Sequence, residues 1–166
     1  MICPACGYEN LQGDDECANC GADLRTADIP APSNPIEEKL VAAPLSVLRP
    51  PRPVSVAPST TAAEAVGLMR DSAIGCLLVE DRGRLVGIVS ERDCALKLSD
   101  GDIERRSVAD LMTTDPVVLR HDDSLAVAIH KMAVGGFRHI PLIEDGRPTG
   151  IVSARDIFGY ILRLLD

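Results

Sequence analysis

From Pro53 onward the apolar and polar residues follow one pattern twice. In the first copy a short β-branched stretch, VSV (54–56), follows a proline and reads as a strand. Ala62, Ala65, Val66 and Met69 then recur at helical spacing, with Ser59 or Thr60 placed to cap the helix. An unbroken apolar run, CLLV (76–79), has the length of a buried strand. The stretch DRGR (81–84) separates two apolar runs as a hairpin turn does. The second hairpin strand leads into the phrase GIVSERD (87–93), where another helix starts.

The second copy keeps this order at a constant offset. VVL (117–119) precedes Leu125, Ile129 and Met132 at helical spacing, with Asp122 or Asp123 as the cap. IPLI (140–143), the turn EDGR (144–147) and the phrase GIVSARD (150–156) complete it. The leaders correspond as well, LSVL (45–48) with VADL (108–111). Each copy therefore predicts β-α-β-β-α. Two copies are too few for a solenoid, so a pseudo-twofold pair of lobes is expected.

Ahead of the repeat, TADIPAPSNPIEEKLVAAP (26–44) carries four prolines and no sustained period. It predicts an extended, semi-rigid tether. Whatever precedes it is then mobile, unless Ile36, Leu40 and Val41 dock onto it. The expected divisions are 1–25, 26–44, 45–100 and 106–166, and the expected fold class is α/β (α+β).

Composition narrows the function classes. The chain has 166 residues and 46% hydrophobic residues, but only 2% aromatics, so its core is built from Val, Ile, Leu and Ala. Its formal net charge of −8 and its lack of an aromatic platform argue against nucleic-acid binding. No apolar run approaches the ~18 residues of a membrane span, and Cys3 and Cys6 interrupt any secretory-type leader. The expectation is a soluble, cytoplasmic protein with no membrane partner.

Two C-x-x-C pairs, CPAC (3–6) and CANC (17–20), are each followed by glycine. Cys3, Cys6, Cys17 and Cys20 have the spacing of two tight knuckles around one metal ion. A disulfide or redox reading needs an oxidising compartment or a βαβ setting, and neither is indicated. So small a segment needs metal binding to fold. The string CPACGYENLQGDDECANCGADL resembles the short zinc-ribbon family, with Asn10 and Leu24 also matching and Glu16 replacing a usual aromatic. Four thiolates fill the shell of zinc, so the site is structural or a protein-docking knob. Iron uses the same ligands, and the sequence does not separate the two.

The order β-α-β-β-α, with G-h-h-S-x-x-D at the strand-to-helix step, resembles the CBS domain, and the pair over residues 45–165 resembles a tandem CBS (Bateman) module. Ser90 with Asp93, and Ser153 with Asp156, read first as capping boxes. A carboxylate also has two oxygens for the vicinal hydroxyls of a ribose. The resemblance implies that role toward an adenine nucleotide (AMP, ADP or ATP) or S-adenosylmethionine. It further implies phosphate contacts from Arg138 and His139, whose places in the first copy are taken by Gly75 and Cys76. Adenine walls would come from Thr114, Pro116, Val117, Ile140 and Pro141, with Pro53 and Val54 in the first copy. Cys76 and Cys94 read as core residues, and His121 and His130 as surface residues.

The resemblance implies a regulatory module without catalytic residues, self-associating as a homodimer and signalling to an unidentified protein partner through the ribbon. The competing expectation is a ligand-independent scaffold. Neither a nucleophile paired with a histidine nor a Gly-rich phosphate loop supports an enzyme.

Overall fold

A computed structural model describes residues 1–11, 14–25, 27, 29, 31–98 and 103–165. The expected divisions also include residues 12, 13, 26, 28, 30, 99, 100 and 166, which lie outside the described residues. The chain divides into two compact units, Met1–Arg49 with His121–Arg138 and Ser153–Asp166, and Pro50–Arg120 with His139–Val152.

The second of these units holds a four-stranded sheet. Strand β1 (Ser55–Val56) leads to helix α2 (Ala62–Asp71), then to the hairpin β2 (Cys76–Asp81) and β3 (Arg84–Ser90), then to α3 (Glu91–Lys97). A short helix α4 (Val108–Leu111) precedes β4 (Thr113–Thr114). The sheet order is β1-β2-β3-β4, with β1 parallel to β2 and the other pairs antiparallel. Ala62, Ala65 and Met69 of α2 pack with Leu77, Val79 and Val89 in the core. Strand β4 was not expected. Its close approach explains Gly87, where a Cβ would lie 2.7 Å from Met112 Sδ and 3.0 Å from the Thr113 carbonyl oxygen.

Both hairpin turns form as the sequence predicts. Arg82 and Gly83 have φ of 49° and 77°, and Asp145 and Gly146 have 50° and 75°. Two positive φ values in a two-residue loop suit the right-handed twist of the flanking strands. The second turn joins β5 (His139–Glu144) to β6 (Arg147–Ser153) in a two-stranded sheet.

The strand expected at 117–119 shrinks to one parallel bridge between Leu119 and Leu142. The Leu119 N–H reaches the Pro141 carbonyl and the Ile143 N–H reaches the Leu119 carbonyl. The next rung needs an N–H at position 141, and proline has none.

The caps also differ from expectation. Thr61, not Ser59 or Thr60, caps α2, because Glu64 three residues on returns the hydrogen bond to the Thr61 N–H and hydroxyl. Ser124, not Asp122 or Asp123, caps α5 (Leu125–Gly135). Asp123 is instead engaged by Arg25, and its carbonyl accepts the Leu45 N–H.

The other unit contains the cysteine segment, α1 (Pro35–Ala42), a 3-10 turn at Leu45–Leu48, α5 and α6 (Ala154–Leu165). The extended tether is corrected: α1 occupies the second half of that segment and packs on α5. Asn34 Oδ1 accepts the Ile36 and Glu37 N–H groups, and Pro35 takes the first helical position, where a missing N–H costs nothing. Helix α5 packs in turn on α6. Leu45, Leu125, Ala128 and Ile157 are buried here, whereas Phe158, Leu162 and Leu165 leave one stripe of α6 exposed.

Candidate functional site

The cysteine segment folds as two knuckles. In the first, Cys3 N–H bonds the Tyr8 carbonyl and Gly7 N–H the Cys3 carbonyl; in the second, Cys17 N–H bonds the Ala22 carbonyl and Gly21 N–H the Cys17 carbonyl. Gly7 and Gly21 have φ of 72° and 68°, the left-handed conformation that each turn requires. Asn10, buried, ties the knuckles together. Its Nδ2 donates to the Tyr8 carbonyl and to Cys17 Sγ, and its Oδ1 accepts the Ala18 N–H. Cys3, Cys17 and Leu24 form the small core, and Glu16, at the aromatic position, stays exposed opposite Asp23.

The four sulfur atoms lie within 4.8 Å of one another, with Cys3–Cys20 at 3.7 Å and Cys6–Cys17 at 3.6 Å. Thiolates about 2.3 Å from a tetrahedral zinc ion stand roughly 3.8 Å apart, so the spacing fits the metal. The electrostatics agree. Burial pushes the Cys17 thiol up, but the Cys20 and Asn19 backbone N–H groups, with Cys6 and Asn10, outweigh it and bring it down to about 6. The Asn19 side chain and the Tyr8 backbone lower Cys6. The Ala22 backbone N–H acts to lower Cys20, yet Cys6, burial, Cys17 and Cys3 push it up to about 12. Four thiols this close do not all ionise unaided, and a divalent cation supplies the missing charge.

Both Ser–Asp pairs form capping boxes at helix starts. Asp93 Oδ2 accepts the Ser90 N–H at 3.0 Å and hydroxyl at 2.5 Å, and Ser90 Oγ accepts the Asp93 N–H. Asp156 Oδ2 accepts the same two groups of Ser153 at 2.8 and 2.6 Å, and Ser153 Oγ accepts the Asp156 N–H. One oxygen of each carboxylate is thus committed to the cap. The other oxygen of Asp93 lies 3.2 Å from Lys97 Nζ. The matching residue in the second copy is Tyr160.

Arg138 and His139 adjoin different helix starts. The Arg138 carbonyl accepts the Ala154 N–H at the start of α6, which sets Arg138 beside Ser153 and Asp156, with an exposed side chain. The His139 imidazole lies against Gly75, where a Cβ would stand 3.3 Å from its Nε2 and 3.7 Å from Glu91 Oε2. The Gly75 carbonyl accepts the Glu91 N–H at the start of α3. His139 therefore sits by Gly75, at the start of α3.

Of the expected adenine walls, Thr114 and Val117 are exposed, Val54, Pro53 and Pro116 half-buried, and Ile140 and Pro141 buried. Cys76 and Cys94 are buried, and burial first and Glu91 second push the Cys76 thiol up to about 12, which suits an inert core residue. His121 and His130 are half-buried, not the surface residues expected. No helix among the described residues is long and apolar enough to cross a membrane.

Sequence reasoning missed a set of charges. Lys131, only 6% exposed, lies in the apolar stripe of α5 with its Nζ 2.5 Å from Asp15 Oδ1. Arg25 Nη1 lies 3.1 Å from Asp123 Oδ1. A lysine one residue before Met132, within the buried pattern, was the available signal. A cleft of about 350 Å³ borders this contact, lined by Arg25, Val41, Asp123 and Ser124 among others, and none of the expected ligand residues lines it.

Comparison with known proteins identifies two families. The CBS domain family model matches residues 47–100 and 108–163, and the zinc-ribbon domain model matches residues 2–24. An uncharacterised 17.7 kDa protein of Acidianus ambivalens is 38% identical over 109 residues, covering 64% of this chain and 66% of that one. A CBS-domain protein from Agrobacterium tumefaciens, ATU1752, superposes with a TM-score of 0.65 at 31% identity, covering 70% of this chain and 94% of that one. The CBS domain pair of MJ0100, solved with 5′-methylthioadenosine and S-adenosyl-L-methionine, reaches 0.68 at 22% identity, covering 74% and 98%. That last likeness concerns the fold.

Proposed function

This chain belongs to the CBS-domain family and carries a zinc ribbon ahead of the pair, and from that premise we propose that it is a regulatory sensor of an adenosyl ligand. CBS pairs are regulatory modules. The finer reading is that Ser90 with Asp93, and Ser153 with Asp156, receive the ribose of an adenine nucleotide or of S-adenosylmethionine. Arg138 serves the anionic end at the second pair and His139 at the first. The observation that carries the reading is the duplicated Ser–Asp start of a helix with one basic residue beside each. Helix starts with free N–H groups favour anions, and each carboxylate keeps one oxygen outside its cap. The adenine walls come from Val54, Thr114, Pro116, Val117, Ile140 and Pro141.

In this role the ribbon metal, zinc or iron, is structural, because four thiolates leave no open coordination position. The chain self-associates through the exposed stripe Phe158, Leu162 and Leu165, spaced to line one face of α6 against a second copy. A protein partner reads the result, and the role is regulatory rather than catalytic. The setting is cytoplasmic.

Thermal unfolding with saturating AMP, ADP, ATP or S-adenosylmethionine tests the reading. A ligand at a hundred times its Kd stabilises the native state by about 2.7 kcal/mol. Asp156→Ala reduces the shift more than the control Asp145→Ala does. No shift with any of the four favours a ligand-independent scaffold, for which the capping boxes alone are sufficient reason. Equal shifts in both variants remove the ribose assignment.

A further inference from the structure

The ribbon and α5 exchange charges across their contact. From the ribbon, Asp15 reaches Lys131, which with Asn10 makes up the buried polar and charged residues among the described ones. In the other direction, Arg25 reaches Asp123, whose side chain is only 12% exposed, one residue before the Ser124 cap of α5. Both ribbon residues are placed by the ribbon's own fold. The Asp15 carbonyl accepts the N–H of Leu24, which is buried with Cys3 and Cys17, and Arg25 follows Leu24 directly. Asp23 holds the Arg25 guanidinium from the other side, with Nη2–Oδ2 at 2.7 Å.

A segment of this size with three core residues does not stay folded without its metal. If the metal leaves, Asp15 and Arg25 lose the positions that the knuckles impose. Lys131 then loses the Asp15 carboxylate, and Asp123 loses the Arg25 guanidinium. Each loss removes a charge contact between the ribbon and α5. We propose that the ribbon is a metal-dependent clamp on α5, so that metal occupancy at Cys3, Cys6, Cys17 and Cys20 is an input to the second CBS repeat. The input travels a short way. Helix α5 ends at Gly135 with Gly136 as its C-cap, and the Arg138 carbonyl holds the first N–H of α6, on which α5 packs. The clamp stands whether or not an adenosyl ligand binds.

The test is hydrogen exchange on the full chain, loaded with zinc and then stripped by a chelator under reducing conditions, with native mass spectrometry reporting the metal. Stripping speeds exchange in 125–135 by about tenfold and leaves the β3 segment 84–90 unchanged. Asp15→Asn, with zinc still bound, speeds exchange in 125–135 in the same direction. In Lys131→Met the response of 125–135 to stripping falls below about threefold, since no Asp15–Lys131 contact is left to lose. Should Lys131→Met fail to fold, Asp15→Asn reads the same contact from the ribbon side. The proposal is overturned if zinc is lost, residues 1–24 exchange faster, and 125–135 stays protected. It is equally overturned if Asp15→Asn with zinc bound matches the wild type in 125–135.

Discussion

In the first repeat Leu78 donates its N–H to the Val54 carbonyl, and β1 runs parallel to β2 through Ser55 and Val56. In the second, the matching donor position is Pro141, and the ladder stops at Leu119. The helices diverge in the same way. Leu68 of α2, half-buried against the core, has Lys131 as its counterpart in α5, and Thr60 has Asp123. Those two substitutions are the ones that meet the ribbon. The repeats share their turns and their Ser–Asp caps, so the pattern of apolar positions sets the fold, while single residue types decide what each copy binds. The first keeps the longer sheet, and the second carries the charges that receive another segment of the chain.

Interchanging the two strand positions tests this difference most severely. Leu78→Pro removes the Val54 carbonyl's partner and a fully buried side chain, and lowers stability by about 4 kcal/mol or more in urea unfolding. The reverse change, Pro141→Leu, supplies the missing N–H and shifts stability by no more than about 1 kcal/mol in either direction. Similar losses from both changes would mean that proline at 141 is required for packing, not tolerated at the end of a short ladder.

The caps provide a gentler comparison. Ser90→Ala and Ser153→Ala each cost about 1 kcal/mol, since the two boxes have the same geometry. Asp93→Asn costs roughly 0.5 kcal/mol more than Asp156→Asn, because Lys97 lies 3.2 Å from Asp93 and has Tyr160 as its counterpart. Equal costs would show that the partly exposed Lys97 contact contributes nothing to stability.

Local chemistry was legible in the sequence and distant pairing was not. DRGR and EDGR announce their turns because Gly83 and Gly146 take the second positive φ. The four cysteines announce the metal geometry through spacing alone. The cap of α2 falls at Thr61 rather than Ser59 or Thr60, and Glu64 three residues on marks its capping box. The proline density of 26–44 points to an extended tether, but Pro35 at the first helical position is compatible with α1. The ribbon's docking left one local sign, a lysine within the buried pattern of α5, but Asp15 and Lys131 are 116 residues apart and nothing in either neighbourhood names the other. The placement of His139 is of the same kind, since it rests on a glycine of the other repeat.

Acid sensitivity is the smallest difference, and it belongs with α2 and α4. The Thr61 backbone N–H first, and its hydroxyl second, hold Glu64 below the usual 4.5; Ser107 does the same for Asp110, below 3.8. A carboxylate depressed in the folded state contributes stability above its unfolded pKa, and that contribution is lost as pH falls through the folded value. Helix α5 has Val127 where α2 has Glu64, so its cap has no carboxylate to titrate. Glu64→Gln is therefore less stable than the wild type at neutral pH, and the gap narrows in urea titrations as pH falls below 4.5. A gap that stays constant down to the acid transition would separate the Glu64 contribution from its charge. The difference between α2 and α5 would then rest on hydrogen-bond geometry alone.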